Sequence, residues 1–359
     1  MKKIVLTGGG TAGHVQPNIA LIPRLKELGY DIHYVGSYTG IEKKLITDIG
    51  IPYYPISTGK LRRYFDWKNF SDPFRVIKGF SQSKKLLKEL KPDVVFSEGG
   101  FVGVPVVYAA SHWHIPVIIH ESGITPGLAN KLSLSKATRV CCNFPETQKL
   151  FPDGHAVVTG NPIRQELFDG NAENAFKYCG FTKHRPTILV VGGSSGAAKV
   201  NQIVWDSLNK MLETYNVIHL TGKGKSNPKF NGLSGYSQFE YIKEELPDMF
   251  ALADVVISRA GANAICELLA LHKPNILIPL SSKVGRGDQE AHAASFEKSG
   301  YSKVILEESL SVDTFLDAIN DVMENKYTYI TAMSKDKEKD SITLTSELIE
   351  EVIKENSKK

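Results

Sequence analysis

Short runs of apolar, mostly β-branched residues alternate along this chain with longer stretches whose apolar positions recur three and four apart, and glycine-rich turns separate many of them. The first run, KIVLTG, enters GGGTAGH, and a helix is predicted over 17–28 with Ile19, Leu21, Ile22, Leu25 and Leu28 as its apolar positions. Strands are predicted next at IHYVGS and over 53–57, 93–98, 116–121, 138–143 and 156–161, with helical stretches between them. The plan then restarts: TILVVGG (187–193) runs into GGSSGAAKVNQ, and NVIHLTG, SQFEYI, DVVIS and NILIPL continue it. A helix over 288–299 and a charged amphipathic helix over 340–359 follow. Strand and helix in alternation imply parallel sheets. At 359 residues two domains are expected, breaking at the GNPIR turn, so that one spans 1–163 and the other 164–340.

The stretch richest in chemistry is 253–271, ADVVISRAGANAICELLAL. Val255, Val256 and Ile257 read as a buried strand, Ser258 to Gly261 as a turn, and a helix begins there. The first amides of such a helix lack partners and carry the positive end of its dipole, which suits a phosphate. Glu267 lies one turn beyond Asn263 on the same face, while Ile265, Leu268 and Leu269 form the apolar face. A carboxylate there can accept both hydroxyls of a ribose, so this is a candidate nucleotide diphosphate site; an ordinary strand-to-helix turn has the same local pattern. Gly8, Gly10 and Gly13 match a dinucleotide fingerprint, but that motif needs an acidic residue at the end of the second strand, and Ser37 stands there. A nicotinamide or flavin enzyme is therefore disfavoured. His14, at the mouth of the loop, is placed either to exchange a proton with a substrate or to cap its own helix. EGGFVGVP and GGSSGA are further glycine loops, the latter with Ser194 and Ser195 as hydroxyl donors, and the Arg164 guanidinium suits a pyrophosphate.

Charge changes the picture mainly through its distribution. Of a net +4, residues 1–163 carry 20 Lys+Arg against 12 Asp+Glu, and the segment 60–91 alone carries ten against three. Phe74, Ile77 and Phe80 recur there at helical spacing among Arg75, Lys78, Lys84 and Lys85, just after Trp67 and Phe70. That pattern suits either the surface of an anionic membrane or a helix packed on its own sheet with a solvated basic face. Nucleic acid fits less well, because the patch is local. No run approaches the roughly 20 apolar residues of a membrane span, and the N-terminus reads as a strand where a signal peptide would need a hydrophobic helix, so a cytoplasmic protein is expected. The four cysteines show no metal or redox spacing.

The motifs GGGTAGH, SEGGFVGVP, HESGITPGLANK, GNPIR, VVGGSSGA, DVVISRAGANAICE and GDQ occur in one order over essentially the whole chain. Together they resemble the MurG family, whose members move N-acetylglucosamine from UDP-GlcNAc to lipid I. The resemblance implies the α/β GT-B glycosyltransferase fold, two Rossmann-like domains facing across a cleft, with a helix at about 341–359 packing back on the first. The first domain would serve the acceptor and the membrane; the second would bind the donor. Thr11, Ala12 and Gly13 match the loop on the acceptor side. Arg164, Ser194, Ile242, Ala262, Asn263, Ala264, Glu267 and Gln289 match donor contacts: Ile242 to uracil, Glu267 to ribose, Ser194 and Arg164 to diphosphate. Gly123 departs from the family's Asn or Asp at a sugar contact, which leaves Asn130 or a water to supply it.

The reaction implied is an inverting single displacement with His14 as base, Glu98 and Glu121 standing behind it as lower-ranked candidates. No DxD motif is present, and neither metal nor cofactor is expected. Expected partners are UDP-GlcNAc, lipid I, the inner leaflet of the cytoplasmic membrane through Phe74, Arg75, Ile77, Lys78 and Phe80, and other cell-wall enzymes, but no nucleic acid. A UDP-GlcNAc 2-epimerase is the alternative, sharing fold and donor; its soluble substrate gives no use for the basic aromatic segment.

Overall fold

The structure is a computed structural model that describes residues 1–59, 68–193, 196–285, 287–335 and 340–358, with residues 68–71 described as backbone only. It divides into two compact units, Met1–Arg164 with Glu338–Lys359, and Gln165–Lys337.

Among the described residues, the first unit carries β1 (Lys3–Thr7), β2 (Asp31–Ser37), β3 (Tyr53–Ile56), β4 (Val94–Ser97), β5 (Val117–Glu121), β6 (Arg139–Cys142) and β7 (Ala156–Val158). All pairings are parallel, in the order β3-β2-β1-β4-β5-β6-β7. The chain reverses its direction of winding between β1 and β4, and in such sheets the loops leaving the two strands at that point diverge and open a crevice. Thr7 pairs with Ser97, so both glycine loops leave the sheet at the same level.

The strands are apolar on both faces because helices cover both. Ile4, Leu6 and Phe96 face one cluster with Leu21 and Leu25 of the helix Gln16–Glu27, while Val5, Val95 and Ile119 face another with Val106 and Val107 of the helix Gly100–His112. The helix Ser341–Asn356 buries Leu348, Ile349, Val352 and Ile353 in the first cluster, each such side chain worth about 1.5–3 kcal/mol. Its polar side is tied down by Lys2 and Tyr30 to Glu350 and by Arg139 to Glu355 at 3.0 Å.

In the second unit, β8 (Thr187–Val191), β9 (Asn216–Leu220), β10 (Tyr236–Phe239), β11 (Val255–Ser258), β12 (Asn275–Leu277) and β13 (Lys303–Val304) form a parallel sheet in the order β10-β9-β8-β11-β12-β13 among the described residues. The reversal falls between β8 and β11, where Val191 pairs with Ser258. The third glycine loop and the RAGA turn therefore leave the sheet side by side. No helix among the described residues is long and apolar enough to cross a membrane.

Candidate active site

In the first unit, β1 ends in Gly8–Gly10, and a short turn Ala12–His14 follows before the helix Gln16–Glu27. Thr11 is exposed, and its Oγ1 lies 3.2 Å from His14 Nδ1. Nδ1 is also 3.2 Å from the Gly9 carbonyl oxygen. A carbonyl can only accept, so neutral His14 carries its hydrogen on Nδ1 and its lone pair on Nε2. Nε2 takes no hydrogen bond among the described residues.

What fills this loop comes from a segment 32 residues away. Glu42, from the helix Ile41–Asp48, has 0% exposure, and its carboxylate accepts from Gly10 N (3.2 Å), Ser37 N (3.0 Å) and Ser37 Oγ. Ser37 is thus used inside the protein, holding a carboxylate where a dinucleotide enzyme would hold a ribose. The carboxylate takes the Gly10 amide that a phosphate in this loop would use.

The second glycine loop packs against the first. Gly100 has φ +73°, and a Cβ there would meet the Gly9 oxygen at 2.5 Å and His14 Nδ1 at 3.4 Å; a Cβ on Gly99 (φ +79°) would meet Asn130 Oδ1. Both positions need glycine for conformation and for space.

The two carboxylates expected beside His14 are turned inward. Glu98 is buried and grips His120 Nδ1 at 2.8 Å, while His120 Nε2 reaches Asn143 Oδ1, also at 2.8 Å. Burial works to lower the His120 pKa, but the charge and hydrogen bonds of Glu98 and the Asn143 bond outweigh it and hold it above the ordinary value. Glu121 is buried and accepts from Gly123 N, Gly127 N and Asn130 Nδ2, which shapes the loop 122–127. Burial raises its pKa despite those three donors. Asn130 also donates to His120 O, so both hydrogens of its amide are engaged within the unit and none faces a sugar. Arg164 ends the unit, its Nε buried without a hydrogen-bond partner among the described residues.

In the second unit, the helix Ala262–Ala270 begins at Gly261, which has no side chain to cap the leading amides. Ala262, Asn263 and Ala264 form its first turn and Glu267 follows one turn on. Arg259, in the turn itself, is occupied: Nη1 donates to the carbonyls of Ile278 and Pro279, and Nη2 pairs with buried Glu307, itself 3.2 Å from Lys199 Nζ. Burial pushes the Glu307 carboxyl up, yet Arg259 and Lys199 hold it below the usual range. His292, kept neutral by burial, donates from Nδ1 to Ala260 O, so the turn is pinned from two sides. Gln289 accepts from Leu280 N through its amide oxygen, leaving its NH₂ as donor, and Ile242 is buried just past β10. Ser194 and Ser195 lie outside the described residues.

The basic segment forms the helix Lys68–Leu90, in which Phe74 is 75% and Ile77 64% exposed, flanked by exposed Arg75 and Lys78. Phe80 does not share that face: it packs on the core cluster, with its ring 6.5 Å from His112. Six residues advance a helix by about 600°, so Phe80 sits about 120° around from Phe74. Trp67 and the side chain of Phe70 lie outside the described residues.

Two parallel-sheet units, each with its loops gathered at a winding reversal, have the topology of the GT-B fold. Residues 4–142 match the glycosyltransferase family 28 N-terminal domain and residues 187–347 the C-terminal domain of that family. The chain is 60% identical over 358 residues to the UDP-N-acetylglucosamine–N-acetylmuramyl-(pentapeptide) pyrophosphoryl-undecaprenol N-acetylglucosamine transferase of Lachnospira eligens, covering 100% of both. It superimposes on Acinetobacter baumannii MurG with a TM-score of 0.77 at 25% identity, covering 98% of this chain and 100% of that one. The UDP-GlcNAc 2-epimerase of Methanocaldococcus jannaschii shares the fold alone, at a TM-score of 0.69 and 13% identity over 97% of this chain and 99% of that one. The chain belongs to glycosyltransferase family 28 and, within it, to the MurG family.

Proposed function

We propose that this protein transfers N-acetylglucosamine from UDP-GlcNAc to the C4 hydroxyl of the muramyl sugar in lipid I, giving lipid II for peptidoglycan synthesis and so serving cell shape and division. The full-length identity to a relative named for that transfer supports the substrates. The observation that carries the chemistry is His14, with Nδ1 hydrogen-bonded to Gly9 O and Nε2 left with its lone pair. His14 takes the acceptor proton as the oxygen attacks the anomeric carbon, and UDP leaves with inversion. Glu98 and Glu121, both buried and engaged in the unit, are the weaker candidates for base.

The second domain, read from the sequence as 164–340 with Arg164 at its margin, holds the donor. Ile242 meets uracil through its backbone, Glu267 the ribose, and Arg164 and Ser194 the diphosphate, with Gln289 and the amides of Ala262, Asn263 and Ala264 completing the contacts. These cationic and amide groups stabilise the departing UDP. The first unit, 1–163 with the terminal helix 341–359, takes the acceptor along Thr11, Ala12 and Gly13 and docks on the cytoplasmic face of the membrane as a peripheral protein. Phe74 and Ile77, exposed between Arg75 and Lys78, are the docking residues. An epimerase shares the fold but has no use for such a face.

The test is transfer of radiolabelled GlcNAc from UDP-GlcNAc to a lipid I analogue with EDTA present. Label in the lipid product is expected; donor binding without transfer, or conversion of the donor itself, overturns the reading. His14→Ala is expected to lower kcat by about 10²–10⁴-fold with UDP-GlcNAc affinity kept, read by steady-state kinetics and calorimetry.

A further inference from the structure

We propose that Glu42 is a positioning residue for His14, acting through the single peptide group that joins Gly9 to Gly10. The inference rests on His14 being the base. Glu42 Oε2 accepts from Gly10 N at 3.2 Å, and the Gly9 carbonyl accepts from His14 Nδ1 at 3.2 Å. That N–H and that C=O belong to one planar trans peptide, so they point in opposite directions. The carboxylate holds the group from one side and the imidazole meets it on the other. The result is a hydrogen-bonded chain, carboxylate to peptide to imidazole, in which the buried negative charge polarises the peptide and strengthens its carbonyl as an acceptor. An acid that orients a catalytic histidine directly would do the same work; here a peptide is interposed.

The surroundings are built for this arrangement. Glu42 is fully buried, and its other oxygen is held by Ser37 N at 3.0 Å and by Ser37 Oγ. Ser37 is fixed in turn: its Oγ accepts from Gly40 N at 2.9 Å and its carbonyl from Tyr53 OH at 2.6 Å. A Cβ at Gly9 or at Gly40 would run into the Glu42 carboxyl, and Gly10 has φ +84°. These glycines thus admit the carboxylate as well as bending the chain. With the Gly9 carbonyl fixed, the hydrogen stays on Nδ1 and the lone pair on Nε2, the form a base requires.

The test uses the full-length protein labelled with ¹⁵N-histidine, with His14 assigned by its absence in His14→Ala and its tautomer read from long-range ¹H–¹⁵N correlations. The wild type should show the Nδ1–H form; the Nε2–H form there overturns the proposal without any Glu42 variant. In Glu42→Gln a side-chain donor faces the Gly10 or Ser37 donors. The tautomers should mix and kcat should fall about 10- to 100-fold, part of what a base supplies, with KM for UDP-GlcNAc unchanged. Glu42→Asp, keeping the charge at shorter reach, should lie between. A Gln variant that loses thermal stability but keeps the wild-type tautomer and kcat makes Glu42 merely structural and overturns the proposal. If His14→Ala itself keeps turnover, the base assignment fails; if His14→Ala is inactive while Glu42→Gln matches wild type, the positioning role alone fails.

Discussion

Glu98→Gln separates a structural carboxylate from a catalytic one. In the folded protein the His120 imidazolium donates from Nδ1 to Glu98 and from Nε2 to Asn143 Oδ1, and Asn143 Nδ2 donates to Ser122 O, which fixes the amide's orientation. With Gln at 98, His120 can go neutral and keep both bonds, its Nδ1 now accepting from the Gln amide and its Nε2–H still donating to Asn143. Above the folded wild-type pKa, where His120 is neutral in both proteins, the substitution should therefore cost only about 1 kcal/mol. The cost grows as pH falls, and the sign follows from linkage. A raised folded pKa means that wild-type His120 contributes stability fully present below its unfolded pKa of about 6.5 and lost as pH rises through the folded value. In the variant His120 is buried with only the weaker pull of Glu121 against the cost of burial, so its pKa is depressed and stability is lost as pH falls below about 6.5.

The gap between the two proteins should thus widen from pH 8.5 to 5.5, at up to about 1.4 kcal/mol per pH unit. Chemical unfolding in a Trp205→Phe background measures it, because the other tryptophans, Trp67 and Trp113, fall within 1–164. The other nine histidines of the chain cancel in the difference. Turnover should fall less than about threefold, within the scatter of a change that touches no substrate. A gap that does not move with pH refutes the buried ion pair. A loss of kcat of about a hundredfold or more with donor affinity intact would make Glu98 the base in place of His14.

Gly100→Ala should cost about 1 kcal/mol or more for its left-handed backbone and, by pressing a methyl on the Gly9 carbonyl and His14 Nδ1, lower kcat about tenfold; melting curves and kinetics report the two effects separately. Replacing both Phe74 and Ile77 by Asp should weaken binding to anionic vesicles at least about tenfold while turnover of a water-soluble short-chain acceptor is kept; unchanged vesicle co-sedimentation would remove this face from membrane docking.

The division of labour between sequence and structure is clearest residue by residue. Alternating β-branched runs and 3.6-periodic stretches were enough to foresee the parallel sheets, because a strand covered on both faces must be apolar throughout and its covering helices must carry an apolar stripe. The glycine loops and His14 were equally legible, since a strand followed by glycines and a helix is a local pattern. What surrounds them was not. Glu42 carries no signal in the local pattern; it is the occupant of the first loop only because β1 and β2 lie side by side and bring Ser37 to Gly10. Glu98, His120 and Asn143 come from the ends of three adjacent strands, and their pairing exists only in the assembled sheet. Phe80 matched its aromatic neighbours in spacing but turned to the core, because a step of six residues leaves the face that Phe74 and Ile77 share. Local sequence determines which backbone shapes are possible and which residues line a loop. Which charge meets which, and which side chain stays in water, is decided by contacts between segments far apart in the chain, where burial makes an unpaired charge too costly to leave alone.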